Sequence, residues 1–185
     1  HIKLITIKAT RKLYCLGKAL KSSSTNFLLN MYKTYVRSIL ESSCQVYNPW
    51  LKKDIVEIEK VQKRAFRWIW RKSLQKRFPD RPGYKTMLKI LNMESLEDRR
   101  VSADLLLFHQ IKTGKVKIDD AIVPKEYREN SRRGTLKLPF ARKNYISQSF
   151  IYRAAELYPR IPLEIKTLKT NKAFRKSIHS FLQKK

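Results

Sequence analysis

The segment YNPWLKKDIVEIEKVQKRAFRWIW, Tyr47–Trp70, decides how the rest of the chain is arranged. Pro49 disfavours helical geometry at Asn48 and has no N–H to donate, so it ends whatever precedes it. From Leu51 onward Ile55, Ile58, Val61, Ala65 and Ile69 recur at the period of an amphipathic helix. On a wheel drawn at about 100° per residue, Lys53, Lys60, Lys63, Arg64, Arg67 and Arg71 share one arc, nearly opposite Ile58 and Ala65. Phe66, Trp68 and Trp70 fall toward the edges of the apolar face. Asp54, Glu57 and Glu59 sit in the first half of the helix and the bases crowd the second, an order that also complements the helix dipole.

Charged helix faces are usually only solvated. Here the imbalance is large: Lys60 to Arg81 holds nine Lys or Arg against one Asp, and the whole chain carries 42 Lys and Arg against 15 Asp and Glu, a formal charge of +27. A chain of that charge repels itself unless a polyanion neutralises it. DNA or RNA is the leading partner, and a basic face edged by aromatic rings suits a polyphosphate backbone with bases free to stack. An anionic membrane surface is the lesser reading, because these faces lack the wide exposed apolar sector that interfacial helices need.

The chain has 185 residues, 42% of them hydrophobic, enough for a real core. Four glycines among long periodic runs point to helices and away from a β-barrel. No apolar run is long enough to span a membrane. The sequence begins on His1, without a signal-peptide pattern, and is expected to be a fragment. Cys15 and Cys44 are not spaced as a C-x-x-C pair and read as buried thiols of a reducing compartment, the cytosol or nucleus.

Before the central helix, Ile2, Ile5, Ala9, Leu13, Leu16 and Leu20 form one helical stripe, and a serine of Ser22–Ser24 is expected to cap the next helix. That helix, Thr25 to about Ser42, has Leu28, Tyr32, Tyr35, Val36 and Ile39 as its inward stripe. Three helices joined by short links predict a compact bundle over 1–78. Pro79, Pro82 and Gly83 mark a boundary. Residues 79–127 read as a linker and helical pair: Tyr84 to Leu91, then a helix capped by Ser95, striped by Leu96, Ala103, Leu106, Leu107 and Ile111, and closed by Gly114. Residues 128–185 read as an irregular basic loop, with a short strand at Thr135–Leu138, and two helices at Ser147–Tyr158 and Asn171–Leu182. The fold class is therefore all-α: a three-helix bundle followed by a smaller helical segment.

Chemistry is sparse. His1, His109 and His179 have no partners at metal-ligand spacing, and His109 on a Leu-rich helix reads as a satisfied, partly buried histidine. The glycines are isolated, so no phosphate loop is present. Asp119-Asp120 lacks the strand–turn setting and third acid of a two-metal site. Arg132 and Arg133, in a basic stretch with Lys137, Arg142 and Lys143, form a second strip suited to phosphates, with a solvated loop as the equal alternative. Arg99-Arg100, in the first turn of a helix, oppose its dipole and hint at an external anion.

Several blocks then align with one family. Tyr32-Lys33-Thr34-Tyr35-Val36-Arg37-Ser38-Ile39-Leu40-Glu41, Val46-Tyr47-Asn48-Pro49-Trp50, Ile58-Glu59-Lys60-Val61-Gln62-Lys63-Arg64 and Leu88-Lys89-Ile90-Leu91-Asn92-Met93-Glu94-Ser95-Leu96-Glu97-Asp98-Arg99-Arg100 resemble, in order, the region that follows the palm in jockey-like non-LTR retrotransposon reverse transcriptases. Leu157 to Leu182 is similar to that family's closing stretch. The departures are Ser38 for proline, Tyr47 and Tyr158 for tryptophan, and Met93-Glu94 for Leu-Pro. The resemblance implies a thumb and post-thumb segment that closes on a template–primer duplex of RNA, hybrid or DNA, with the polymerase palm and fingers as its protein partner. It implies no cofactor in this chain, since Mg²⁺ would belong to the palm aspartates, and no catalysis by the chain alone. The residues expected to meet phosphates are Lys53, Lys60, Lys63, Arg64, Arg67 and Arg71, then Arg132 and Arg133. Trp68 or Trp70 offers a stacking surface, although a tryptophan packed at the bundle's edge is the commoner outcome. The rival reading is a protein-interaction module docking through Trp50, Trp68 and Trp70; an isolated nuclease is disfavoured by the lack of clustered acids or histidines.

Overall fold

The computed structural model describes residues 1–21, 24–74, 80, 82–117, 129–130, 135–136, 143–168 and 170–183. The chain is all-α, and the strand pairing among the described residues is one short antiparallel ladder, Glu129–Asn130 with Thr135–Leu136. Two compact units divide it, His1–Glu97 and Asp98–Lys185.

The first unit is built on α1 (Ile2–Ala19), α2 (Thr25–Tyr32) and α5 (Lys52–Ile69). Ser24 caps α2 as expected, its hydroxyl accepting the Phe27 N–H at 3.4 Å. The second helix runs on from α2 through a π-helical turn, Lys33–Arg37, into α3 (Ser38–Glu41). That turn rewrites the inward stripe. Leu28, Tyr32, Val36 and Leu40 are buried at strict four-residue spacing, while Tyr35 is exposed and Ile39 only half-buried. A straight α-helix would drift out of phase at that spacing; the wider turn keeps every fourth residue on one line. A short α4 (Cys44–Tyr47) leads to the break at Asn48-Pro49.

α1 packs against α5 and against the π turn and α3, and α2 packs on α5, so three helical rods surround one core. Ala9, Leu13, Leu28, Tyr32, Val36, Leu40, Ile58, Val61, Ala65, Phe66 and Ile69 fill it. The core does not stop at the expected 78/79 boundary. α6 (Tyr84–Ile90) and the turn after it add Met87, Leu91, Met93 and Leu96. Asn92 makes that turn possible: it adopts a left-handed φ of 48°, its N–H reaches the Lys89 carbonyl at 3.1 Å, and the Met93 N–H reaches the Leu88 carbonyl at 2.8 Å. This is the double hydrogen bond that ends many helices, with Asn in the place glycine usually takes.

α7 (Leu96–Lys112) ends on Gly114, at φ 71°, with the Lys115 N–H bonded to the Gln110 carbonyl at 2.9 Å. The second unit packs Leu105 and Phe108 of α7 against Ala154 and Ala155 of α8 (Phe150–Leu157), Tyr158, Ile161, and Phe174 and Ile178 of the closing helix Asn171–Gln183. Of the expected α7 stripe Leu96 is buried, while Ala103, Leu106, Leu107 and Ile111 are only half-buried. The more deeply buried line is Leu105, Phe108 and His109, and the helix also buries Arg100, Ser102 and Asp104. With polar groups taken into the interior, apolar periodicity no longer marks the inward face. Asp104 is held by Arg153, whose Nε donates to it at 2.9 Å.

Candidate nucleic-acid interface

Lys53, Lys60, Arg64, Arg67 and Arg71 are all exposed, aligned along α5 and into the π-helical turn Trp70–Leu74 that extends it. The ridge spans about 27 Å at the helical rise of 1.5 Å per residue. Lys60 bridges to Glu57 one turn away, and among the described residues Arg64, Arg67 and Arg71 have no acidic partner. Lys63 differs. It is half-buried, and its ammonium lies 5.0 Å from the centroid of the Tyr84 ring, a cation–π contact that ties α5 to α6. Arg132 and Arg133, and Asp119-Asp120, lie outside the described residues.

A hollow flanks the ridge on either side. Toward α6, Lys63, Phe66 and Arg67 face Pro82, Gly83 and Tyr84 around a small cleft of about 100 Å³. Toward α1, two adjoining hollows of about 390 and 280 Å³ share Thr10 and form an open trough. One end is apolar, between Leu13, Tyr14 and Gly17 of α1 and Trp68 of α5; the other mixes Ile7 and Val61 with Arg11, Lys60, Arg64 and Glu57. α1 contributes cations without compensation, since no Asp or Glu precedes Glu41.

Below the ridge lies a polar network that helical periodicity does not announce. Glu59 and Gln62 are buried on the core side of α5. The Tyr32 hydroxyl donates to Gln62 Oε1 at 2.6 Å, and Gln62 Nε2 donates to the Tyr84 hydroxyl and the Glu94 carbonyl, each at 2.9 Å. Glu59 accepts from the Tyr84 hydroxyl and, at 3.3 Å, from the Leu96 N–H that opens α7. Burial, with the Glu59 charge next, pushes the Tyr84 phenol well above its usual range. Glu59 therefore does not serve as a solvent-exposed dipole partner; it anchors the α6–α7 corner to α5. Gln62 was the available signal, a polar residue lying inside the apolar arc.

Other expectations meet corrections. Trp70 is only 3% exposed and belongs to the core, because the π turn carries it inward; Trp68 is half-buried along the trough and Trp50 is exposed. Trp70 is thus unavailable either to stack on a base or to dock a partner. Arg100 is 2% exposed and presents nothing to an external anion. Cys44 is buried as expected, but Cys15 is exposed. His109 is more deeply buried than expected and only partly satisfied: its Nδ1 lies 2.9 Å from the Tyr158 hydroxyl and its ring stacks on Phe174 at 4.1 Å, while its buried Nε2 has no hydrogen-bond partner among the described residues. Burial, then the charge of Lys115, lowers its pKa. Among the described residues no group of three or more His, Cys, Asp or Glu is placed to hold a metal, and no helix is long and apolar enough to cross a membrane.

No family model matches this sequence, and no solved structure does. One match is to an uncharacterised protein of Caenorhabditis elegans, B0403.1. It is 24% identical over 120 residues, covering 65% of this chain and 59% of that protein. The chain thus spans less than two thirds of that relative's length.

Proposed function

We propose that this chain is a thumb-like, nucleic-acid-gripping part of a non-LTR reverse transcriptase, binding template–primer or element RNA through the backbone without catalysing a reaction itself. The observation that carries this reading is the ridge of α5: Lys53, Lys60, Arg64, Arg67 and Arg71 aligned and exposed on a helix whose opposite face is locked into the core. Successive phosphates of one strand recur about every 3.4 Å, so a rod of this length faces several of them. The ordered sequence blocks that resemble the post-palm region of these polymerases supply the enzyme class. The polymerase palm would be the protein partner and the site of metal-dependent chemistry.

The test is binding to an RNA–DNA hybrid, a DNA duplex and single-stranded RNA across a salt series, for the native chain and for the triple variant Arg64→Gln, Arg67→Gln, Arg71→Gln. Each lost phosphate contact removes about 0.7–0.9 from the slope of log affinity against log salt, so the variant's slope should be shallower by roughly two to three. A preference for the hybrid or for structured RNA supports the polymerase assignment. Equal, weak binding to every polyanion reduces the ridge to charge alone, and an unchanged slope in the variant rules the ridge out.

A further inference from the structure

The trough between α1 and α5 is not needed to hold the bundle together. It is an open surface whose lining combines planar rings with cations. Along α1, Leu4, Ile7, Arg11, Tyr14 and Lys18 recur at alternating three- and four-residue steps, a second stripe turned away from the Ile5, Ala9, Leu13 and Leu16 line that packs inward. This outer stripe is solvent-facing: Leu4 is 70%, Ile7 49% and Tyr14 62% exposed. Lys18 lies over the Tyr14 ring at 4.8 Å, and Arg11 is exposed one turn before it. Across the trough stand Arg64 and Trp68, also one turn apart. Both rims are therefore net cationic, with Glu57 beside Lys60 the one acid among the described lining residues, and the floor between Tyr14 and Trp68 is apolar.

Resting on the nucleic-acid reading above, we propose that this trough seats an unpaired stretch of the bound nucleic acid, with a base on Tyr14 and against the edge of Trp68 and its phosphates along Arg11, Lys18 and Arg64. The chemistry of the lining selects this occupant. Cationic rims call for an anion, and a flat ring beside a basic rim is how sequence-tolerant single-strand binding is built. An amphipathic peptide helix would need apolar anchors repeating along its length. Here Leu13, Tyr14, Gly17 and Trp68 gather at one end, and toward the other Ile7 and Val61 are interleaved with Thr6, Arg11, Glu57, Lys60 and Arg64, so charge interrupts the apolar line. From Ile7 to Lys18 the trough is about 16 Å long at 1.5 Å per residue, the reach of a few nucleotides. Duplex on the ridge and single strand in the trough would then share the Arg64 rim.

The experiment compares Tyr14→Ala with the native full chain on a short single-stranded oligo(dT) and on a fully paired DNA duplex of the same length, at one salt concentration. Tyr14 is exposed, so its truncation leaves the core intact, and circular dichroism checks this. Loss of one stacking platform should weaken single-strand binding by about tenfold and leave duplex binding within about twofold, with Tyr14→Trp restoring the single strand. In parallel, oligo(dT) should quench tryptophan fluorescence in the native chain and not in Trp68→Phe. Equal weakening of both ligands, or of neither, overturns the proposal. So does an acidic amphipathic peptide whose binding depends on Tyr14 while that of oligo(dT) does not, because the trough would then be a protein-docking surface. Failure of the ridge itself is read separately, from duplex binding by Arg67→Gln, Arg71→Gln, two positions that do not line the trough.

Discussion

Gln62 bonds at once with the hydroxyls of Tyr32 and Tyr84 and the carbonyl of Glu94, the first bond fully buried and the other two partly so. Replacing it with leucine keeps the volume and removes all three bonds, which should cost roughly 2–3 kcal/mol at about 1 kcal/mol for each hydrogen bond lost. Urea unfolding measures this, and a loss under about 0.5 kcal/mol would show that water takes over those bonds. His109 makes a separate prediction in the second unit. Burial holds its folded pKa below the unfolded value of about 6.5, so the unfolded chain binds the extra proton. Stability is then fully present above about pH 6.5 and falls as the pH drops below it, with a slope approaching 1.4 kcal/mol per pH unit until the folded pKa is reached. His109→Phe should flatten this limb below about pH 6.5, at the expense of the Tyr158 hydrogen bond. An identical acid limb in the variant would assign the titration to another group. That His109 is a core residue was legible from its Leu-rich surroundings; that Tyr158 and Phe174 complete its setting was not, since both are distant in sequence.

At the scale of elements, α5 was almost fully readable because one helix alternates cleanly between an apolar arc and a basic one. The two π turns were not. Each shifts the phase of a helix after Tyr32 or Ile69, and the choice between Tyr35 and Leu40 as the core residue, or the burial of Trp70, follows from that shift. The extra residue in such a turn is selected by what it must reach across the bundle, not by local propensity. Gly17 is a third case. It sits inside α1, and a β-carbon there would meet the nearest atom, Nε1 of Trp68, at 3.6 Å, ordinary van der Waals contact. Gly17→Ala should therefore stabilise the chain by about 0.5–1 kcal/mol, the helix-interior cost of glycine, with thermal unfolding as the readout. A destabilised variant would mean that the Trp68 indole must lie closer to α1 than the helix alone requires.

For the whole molecule the dominant quantity is +27. Self-repulsion on that scale weakens the compact state in dilute buffer. Between about 0.01 and 0.1 M salt the screening length shortens from about 30 to 10 Å, and the melting temperature should rise over that interval. A polyanion bound to the folded chain should raise it further, by about 2.7 kcal/mol of added stability at a hundredfold excess over Kd. A melting temperature indifferent to both would mean that the charges are spaced too widely to feel one another. The partition into units also belongs to this scale. Pro79 and Pro82 suggested an end to the bundle near residue 78, yet Met87, Leu91, Met93 and Leu96 close the first core, and the division falls at Glu97 within α7. Local breakers mark where a helix stops; they do not mark where a core stops being covered.

The amino-acid order alone determined the helical class, the three rods of the bundle, the caps at Ser24 and Gly114, and the basic arc of α5, because each depends on propensity, period or charge within a few turns of one helix. Only the tertiary structure decided which cations are free and which, like Lys63 over Tyr84, are engaged. It alone drew Glu59, Gln62 and Arg100 into the interior, turned Trp70 inward, and set Tyr14 and Trp68 on opposite walls of one trough. Those outcomes depend on contacts between residues tens of positions apart, where the balance between burying a polar group and bonding it is settled by the neighbour that packing supplies.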